Sequence, residues 1–153
     1  KQAFAKGKPI GLSQLWYSTG DLRKKATFKD GLLEGEASEW YENGKLKEQV
    51  TFLEGKRTGE YRAWFEDGQI RLECKFREDK KNGKDLEYSE SGTVIREANY
   101  DDGRLQGEAI EHFPNGKKLI LESYKDGVKH GPVREWWPNG KTVFINPFGV
   151  TPS

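Results

Sequence analysis

Residues 35–58 read GEASEWYENGKLKEQVTFLEGKRT, and the rest of the chain is a variation on this stretch. Trp40 and Tyr41 lead into the turn tripeptide Glu42-Asn43-Gly44. An alternating run then ends at Phe52, and a second turn follows at Glu54-Gly55. The turn glycine returns as Gly20, Gly44, Gly68, Gly92, Gly116 and Gly140, a step of 24 residues. Gly11, Gly35, Gly59, Gly83, Gly107 and Gly131 keep the same step. So do Gly7, Gly31, Gly55, Gly103 and Gly127, with Asp79 filling the single gap. A fixed period over a whole chain is the signature of a repeat architecture, in which each unit stacks on its neighbours. The lattice divides the chain into a half repeat at 1–10 and repeats at 11–34, 35–58, 59–82, 83–106, 107–130 and 131–153. The expectation is one array over 1–153.

Composition agrees with a thin structure. Hydrophobic residues make up 33% of the 153 residues, low for a domain with a thick core. The 26 basic and 25 acidic side chains are interleaved, giving a net charge of +1. That balance provides no field to attract nucleic acid, so none is expected as a partner. Cys74 is the only cysteine, which excludes an internal disulfide and a cysteine metal cluster. It falls where Ala26, Val50 and Ala98 fall in other repeats, so a small buried apolar side chain is its expected role. The chain begins inside a repeat and contains no Met. An N-terminal segment is therefore expected to have been removed, and localisation stays open.

Turn chemistry predicts strands. The first turn reads Pro-Asn-Gly at residues 114–116 and 138–140. Pro fixes φ at position i+1 of a type I turn, Asn suits i+2, and Gly takes the left-handed position that follows. This is a three-residue hairpin loop. Lys-Asp-Gly at 29–31 and 125–127 is expected to behave the same way. The predicted fold is all-β: an elongated single-layer antiparallel sheet of successive β-hairpins. Under straight alternation, Trp40, Leu46, Val50 and Phe52 share one face. Their equivalents Trp16, Trp64, Tyr88, Phe28, Phe76 and Tyr100 then extend a structural aromatic ladder along it.

The pattern G-x4-[WY]-[YF]-x-[ND]-G-[KQ]-[LI]-x5-[FY]-x2-G-x3-G resembles the membrane occupation and recognition nexus (MORN) repeat, and most closely its bacterial variant. Gly35, Trp40, Tyr41, Asn43, Gly44, Lys45, Leu46, Phe52, Gly55 and Gly59 carry the match. Asp79, Ser89, His112 and Lys118 depart from it. The resemblance implies a non-enzymatic binding module without a cofactor. It suggests an antitoxin or immunity protein that neutralises a toxin partner, located in a bacterial cytoplasm, or in a periplasm or at a cell surface if a signal segment was removed. The alternative it suggests is a surface or membrane-associated scaffold that binds lipid or glycan through aromatics.

Other chemistries are poorly supported. Gly140-Lys141-Thr142 resembles the end of a phosphate-binding loop, but Glu135 stands where the earlier glycine belongs. His112 and His130, the only histidines, occupy different repeat positions and lack a spaced set of ligands, so no metal is expected. Neither a Ser-His-Asp nor a Cys-His arrangement is suggested, and no catalytic residue is assigned.

One departure carries information. Arg23/Lys25, Lys47/Gln49 and Arg71/Glu73 become Leu119/Leu121 and Val143/Ile145 in the last repeats, with Ile95 anticipating the change. Phe113, Val133 and Trp137 accompany them from the facing strand. The expected reading is a contiguous apolar patch, covered by residues 146–153 or a missing C-terminal segment, or serving as an interface with a protein partner or a second copy of the chain. Phe113, Leu119, Leu121, Val133, Trp137, Val143 and Ile145 are its candidate partner-binding residues.

Overall fold

A computed structural model describes residues 3–146 and divides the chain into two units, residues 1–80 and 81–153. Each is a single-layer antiparallel sheet, and no helix occurs among the described residues.

In the first unit the strands are β1 (Ala3–Ala5), β2 (Lys8–Trp16), β3 (Leu22–Lys29), the two-residue β4 (Leu32–Leu33), β5 (Gly35–Trp40), β6 (Leu46–Leu53), β7 (Lys56–Trp64) and β8 (Ile70–Arg77). They pair in the order β1-β2-β3-β5-β6-β7-β8, with β4 also on β3. In the second unit β9 (Lys80–Tyr88), β10 (Val94–Asp101), β12 (Gly107–His112), β13 (Lys118–Lys125), β15 (Val133–Trp136) and β16 (Thr142–Asn146) pair in sequence. There β11 (Arg104–Leu105) extends β10 and β14 (Val128–Lys129) extends β13. All pairing is between successive segments, as short turns dictate.

The first turn has the predicted geometry. Tyr41 N–H donates to Lys45 O, and Gly44 N–H donates to Tyr41 O, which closes a three-residue loop with Gly44 at φ 80°. Asn43 explains its own recurrence. Its Oδ1 accepts from Lys45 N–H at 2.9 Å, and its Nδ2 donates to Glu66 O of the following turn at 2.9 Å. Asn115 repeats both bonds, to Lys117 N–H and Pro138 O.

The second turn differs from the expectation. Leu53 pairs with Lys56, so only Glu54 and Gly55 form the loop, at φ 50° and 80°. Two positive φ values define a type I′ turn, whose twist matches the flanking strands. Two extra residues appear further on. Val50 pairs with Tyr61 and Thr51 with Thr58, so Gly59 and Glu60 form a bulge inside β7, with Gly59 at φ 70°. The three glycine series thus mark a three-residue loop, a two-residue loop and a bulge. At the gap in the third series, Asp79 holds φ 67°. Its carboxylate accepts from Arg57 N–H at 3.1 Å and Arg57 Nε–H at 3.0 Å.

A further bulge re-sorts the faces. Trp40 pairs with Leu46 but Glu39 pairs with Glu48, leaving Lys47 without an opposite residue. The unbulged β5 keeps strict alternation, so Ala37 and Glu39 share a face with Val50, and Trp40 lies on the other. One residue of slip exchanges the faces of everything beyond it. The ladder expected on one face is therefore two ladders. Trp16, Trp40, Trp64 and Tyr88 belong to what we term the tryptophan face. Phe28, Phe52, Phe76 and Tyr100 belong to the opposite, valine face. Contacts confirm the sorting: Tyr61 meets Phe76 edge-on at 5.9 Å, and both flank buried Cys74 on the valine face. Cys74 is buried and forms no disulfide, as its lattice position predicts.

Candidate binding surfaces on the valine faces

The bulge position is where the sequence changes character. Arg23, Lys47, Arg71, Ile95, Leu119 and Val143 all occupy it, each left without an opposite residue in its hairpin. In the first unit the bulged cations turn onto the valine face. Arg23 lies 5.6 Å above the Tyr17 ring and Lys47 lies 5.7 Å above that of Tyr41. The two tyrosines donate to the backbone one repeat on: Tyr17 Oη to Trp40 O at 2.7 Å and Tyr41 Oη to Trp64 O at 2.8 Å. Ser89, at the same lattice position, instead accepts a local bond from Thr93 N–H at 3.2 Å.

The cations converge on Glu39. Its carboxylate is 2.7 Å from Lys24 Nζ, 3.5 Å from Lys47 Nζ and 3.8 Å from Arg23 Nε. The Glu39 side chain is only 9% exposed, against 44–50% for the three cations. Burial pushes its carboxyl up, but the hydrogen bond and charge of Lys24, helped by Lys47, outweigh that and hold it below the ordinary carboxylate value. Beside this cluster runs a groove of about 290 Å³, floored by Ala26, Phe28, Ala37, Val50 and Phe52 and walled by Leu15. Val50 is 8% exposed at its base. Glu48 also lines the groove and accepts from Tyr61 Oη at 3.0 Å. Burial and then the Glu48 charge push the Tyr61 phenol up to about 12.

In the second unit the valine face is filled differently: Ala98 and Val133 are buried in its floor, but ions are set among them. Asp85, at the lattice position of Ala37, is buried, with one carboxylate oxygen 2.5 Å from Lys81 Nζ and 3.9 Å from Arg96 Nη1. The other oxygen has no hydrogen-bond partner. Glu122, at the position of Val50, accepts from Tyr124 Oη at 2.6 Å and from Lys129 Nζ at 2.5 Å. Burial raises the Glu122 carboxyl, but the bonds from Lys129 and Tyr124 outweigh it and hold the group low. Burial, followed by the hydrogen bond to Glu122, pushes Tyr124 up to about 12. Above that floor the lattice positions of Tyr17/Arg23 and Tyr41/Lys47 are occupied by Phe113/Leu119 and Trp137/Val143. Trp137 is 55% exposed and Val143 is 42% exposed; Phe113 and Leu119 are half-buried.

The seven residues expected to form one patch are thus divided. Phe113, Leu119, Trp137 and Val143 share the valine face at its rim, and Val133 is buried in the floor of the same face. Leu121 lies on the tryptophan face, paired with Ile110, and both are buried. Ile145 pairs with Arg134 through its backbone, and its side chain lies outside the described residues. The bulge at Leu119 is the cause, since it puts residues 119 and 121 on opposite faces despite their spacing of two. The cap expected from 146–153 also falls outside the described residues from 147 onward. His112 occupies the tryptophan position on the other face, its Nε2 3.9 Å from Glu97 Oε1. No group of metal-ligating side chains forms among the described residues.

No curated protein matches the chain. The profile of the MORN repeat variant matches six times in succession, at residues 9–30, 33–54, 57–78, 81–102, 105–126 and 129–148. Such repeats are in general non-enzymatic modules for protein or membrane-lipid interaction. With six consecutive matches across nearly its whole length, this chain belongs to the MORN repeat variant family.

Proposed function

We propose that the chain is a protein-binding module of antitoxin or immunity type, and that the rim Phe113, Leu119, Trp137 and Val143 contacts the toxin partner. The observation that carries this reading is the substitution of aromatic–cation stacks by aromatic–aliphatic pairs at equivalent lattice positions. Solvated stacks such as Tyr41/Lys47 suit an uncovered surface. Trp137 and Val143 at the same positions leave apolar area in water, which a partner would remove. Trp is also the side chain most often found as a binding anchor, with typical losses of about 2 kcal/mol or more on truncation.

The test is affinity capture with the purified chain, followed by co-expression of the captured protein with and without it. Neutralised toxicity that Trp137→Ala abolishes, with the melting temperature unchanged, is the expected result. Saturable binding to lipid vesicles or glycans, lost in Trp137→Ala, with no protein captured, would transfer the rim to the scaffold alternative.

A further inference from the structure

The groove described above is lined by residues of the first unit alone. We propose that it binds a protein segment in which an acidic side chain is flanked by apolar ones. The inference rests on reading the chain as a protein-binding module, but it uses none of the residues assigned above.

Two features specify the occupant. The floor is apolar and recessed, with Val50 at its base and Leu15 half out of the groove at its side. Immediately beside it stand three cations for one carboxylate, Arg23, Lys24 and Lys47 around Glu39. Glu48, the other acid in the groove, accepts from the Tyr61 hydroxyl and keeps its charge, so three cations stand against two carboxylates and a positive excess remains. The cation heads remain about half exposed, so each retains donors that Glu39 does not use. An incoming carboxylate would complete charge-assisted bonds to Lys24 and Lys47 while its apolar neighbours cover the floor. A flat anionic bilayer would reach the cations but not the recessed floor. A neutral apolar peptide would fill the floor and leave the charges unanswered. The acidic-and-apolar segment is the one that meets both.

The experiment selects phage-displayed random peptides on the full chain and measures synthetic copies by fluorescence anisotropy. Wild type is compared with Lys24→Gln/Lys47→Gln, Leu15→Glu and Trp137→Ala. Leu15 and both lysines are exposed enough that folding is preserved, which circular dichroism verifies. The selected peptides should carry Asp or Glu between Leu, Ile or Phe. Their binding should fall about tenfold in each groove variant, weaken with salt and stay unchanged in Trp137→Ala. An empty selection, peptides lacking acidic residues, or indifference to both groove variants would overturn the proposal. So would phosphatidylserine vesicles that bind through the two lysines while no peptide does. Peptides sensitive only to Trp137→Ala would support the rim of the second unit and still reject the groove.

Discussion

The two units use one lattice and fill it differently. In the first, the valine face has an apolar floor and a rim of cations stacked on tyrosines. In the second, ions are set into the floor at Asp85 and Glu122, and the rim is Phe113, Leu119, Trp137 and Val143. The tryptophan faces differ as well: Ser38 opposes Gln49 in the first unit, whereas Ile110 opposes Leu121 in the second. The difference shows what the period protects. Glycines, turns and the asparagine bridge set the backbone, and they recur in both units. The positions between them are free to change polarity without changing a strand, so surfaces can differ on identical scaffolding.

The largest effects should come from the residues that carry this difference. Leu121→Asp places an unpaired carboxylate in the buried pair with Ile110, and we expect a loss of about 3 kcal/mol or more of stability in urea unfolding. Trp137→Ala, two strands on, should alter stability by under about 1 kcal/mol, because its side chain is largely in water. Equal losses would break the assignment of core and rim.

A reciprocal pair sharpens the comparison of floors. Ala37→Asp puts a carboxylate into an apolar floor, at an expected cost of about 2–3 kcal/mol. Asp85→Ala restores the residue that the lattice carries at Ala37 and Ala109. It removes a buried oxygen without a partner and leaves Lys81 over the Tyr100 ring. We expect a change within about 1 kcal/mol, of either sign, in the same urea titration.

Smaller effects follow from titration. Glu39 has its carboxyl held below the ordinary value, so its contribution is present above the carboxylate range and is lost as pH falls through the folded value. Glu39→Gln should remove that acid-sensitive component, about 1 kcal/mol, from thermal melts taken across the acid range. Tyr61 and Tyr124 are shifted the other way. Their contributions are present below pH 10 and disappear as pH rises toward 12. Ultraviolet titration should show two late phenolate steps, one lost in Tyr61→Phe and one in Tyr124→Phe.

Much of this was legible in the sequence. The period, the all-β fold and the Pro-Asn-Gly loop follow from residues that act locally. The faces were not legible by counting, because the one-residue bulge at Lys47 breaks the alternation. The two-residue bulge at Gly59 leaves the faces unchanged, and it had a signal: Gly59, four residues after the turn glycine Gly55, marks a break inside a strand. The Lys-Asp-Gly turn also contains the Asp-Gly pair that favours a two-residue loop. The bulge at Lys47 has no such marker, since Arg, Lys, Ile, Leu and Val all occupy it. Only the pairing of Glu39 with Glu48 exposes it. The aliphatic switch at Leu119 and Val143 was visible; that Leu121 turns the other way was not.

Cysteine labelling tests the central claim most directly. In a Cys74→Ala background, which places the Ala of positions 26 and 98 at position 74, single cysteines at positions 113, 121, 133, 137 and 143 are each treated with a thiol reagent, and the rate is followed. The account predicts fast reaction at 137 and 143, intermediate reaction at 113, and strong protection at 121 and 133. Protection at 137 together with fast reaction at 121 would contradict it, and with it the division of the second unit into a buried tryptophan-face core and an exposed valine-face rim.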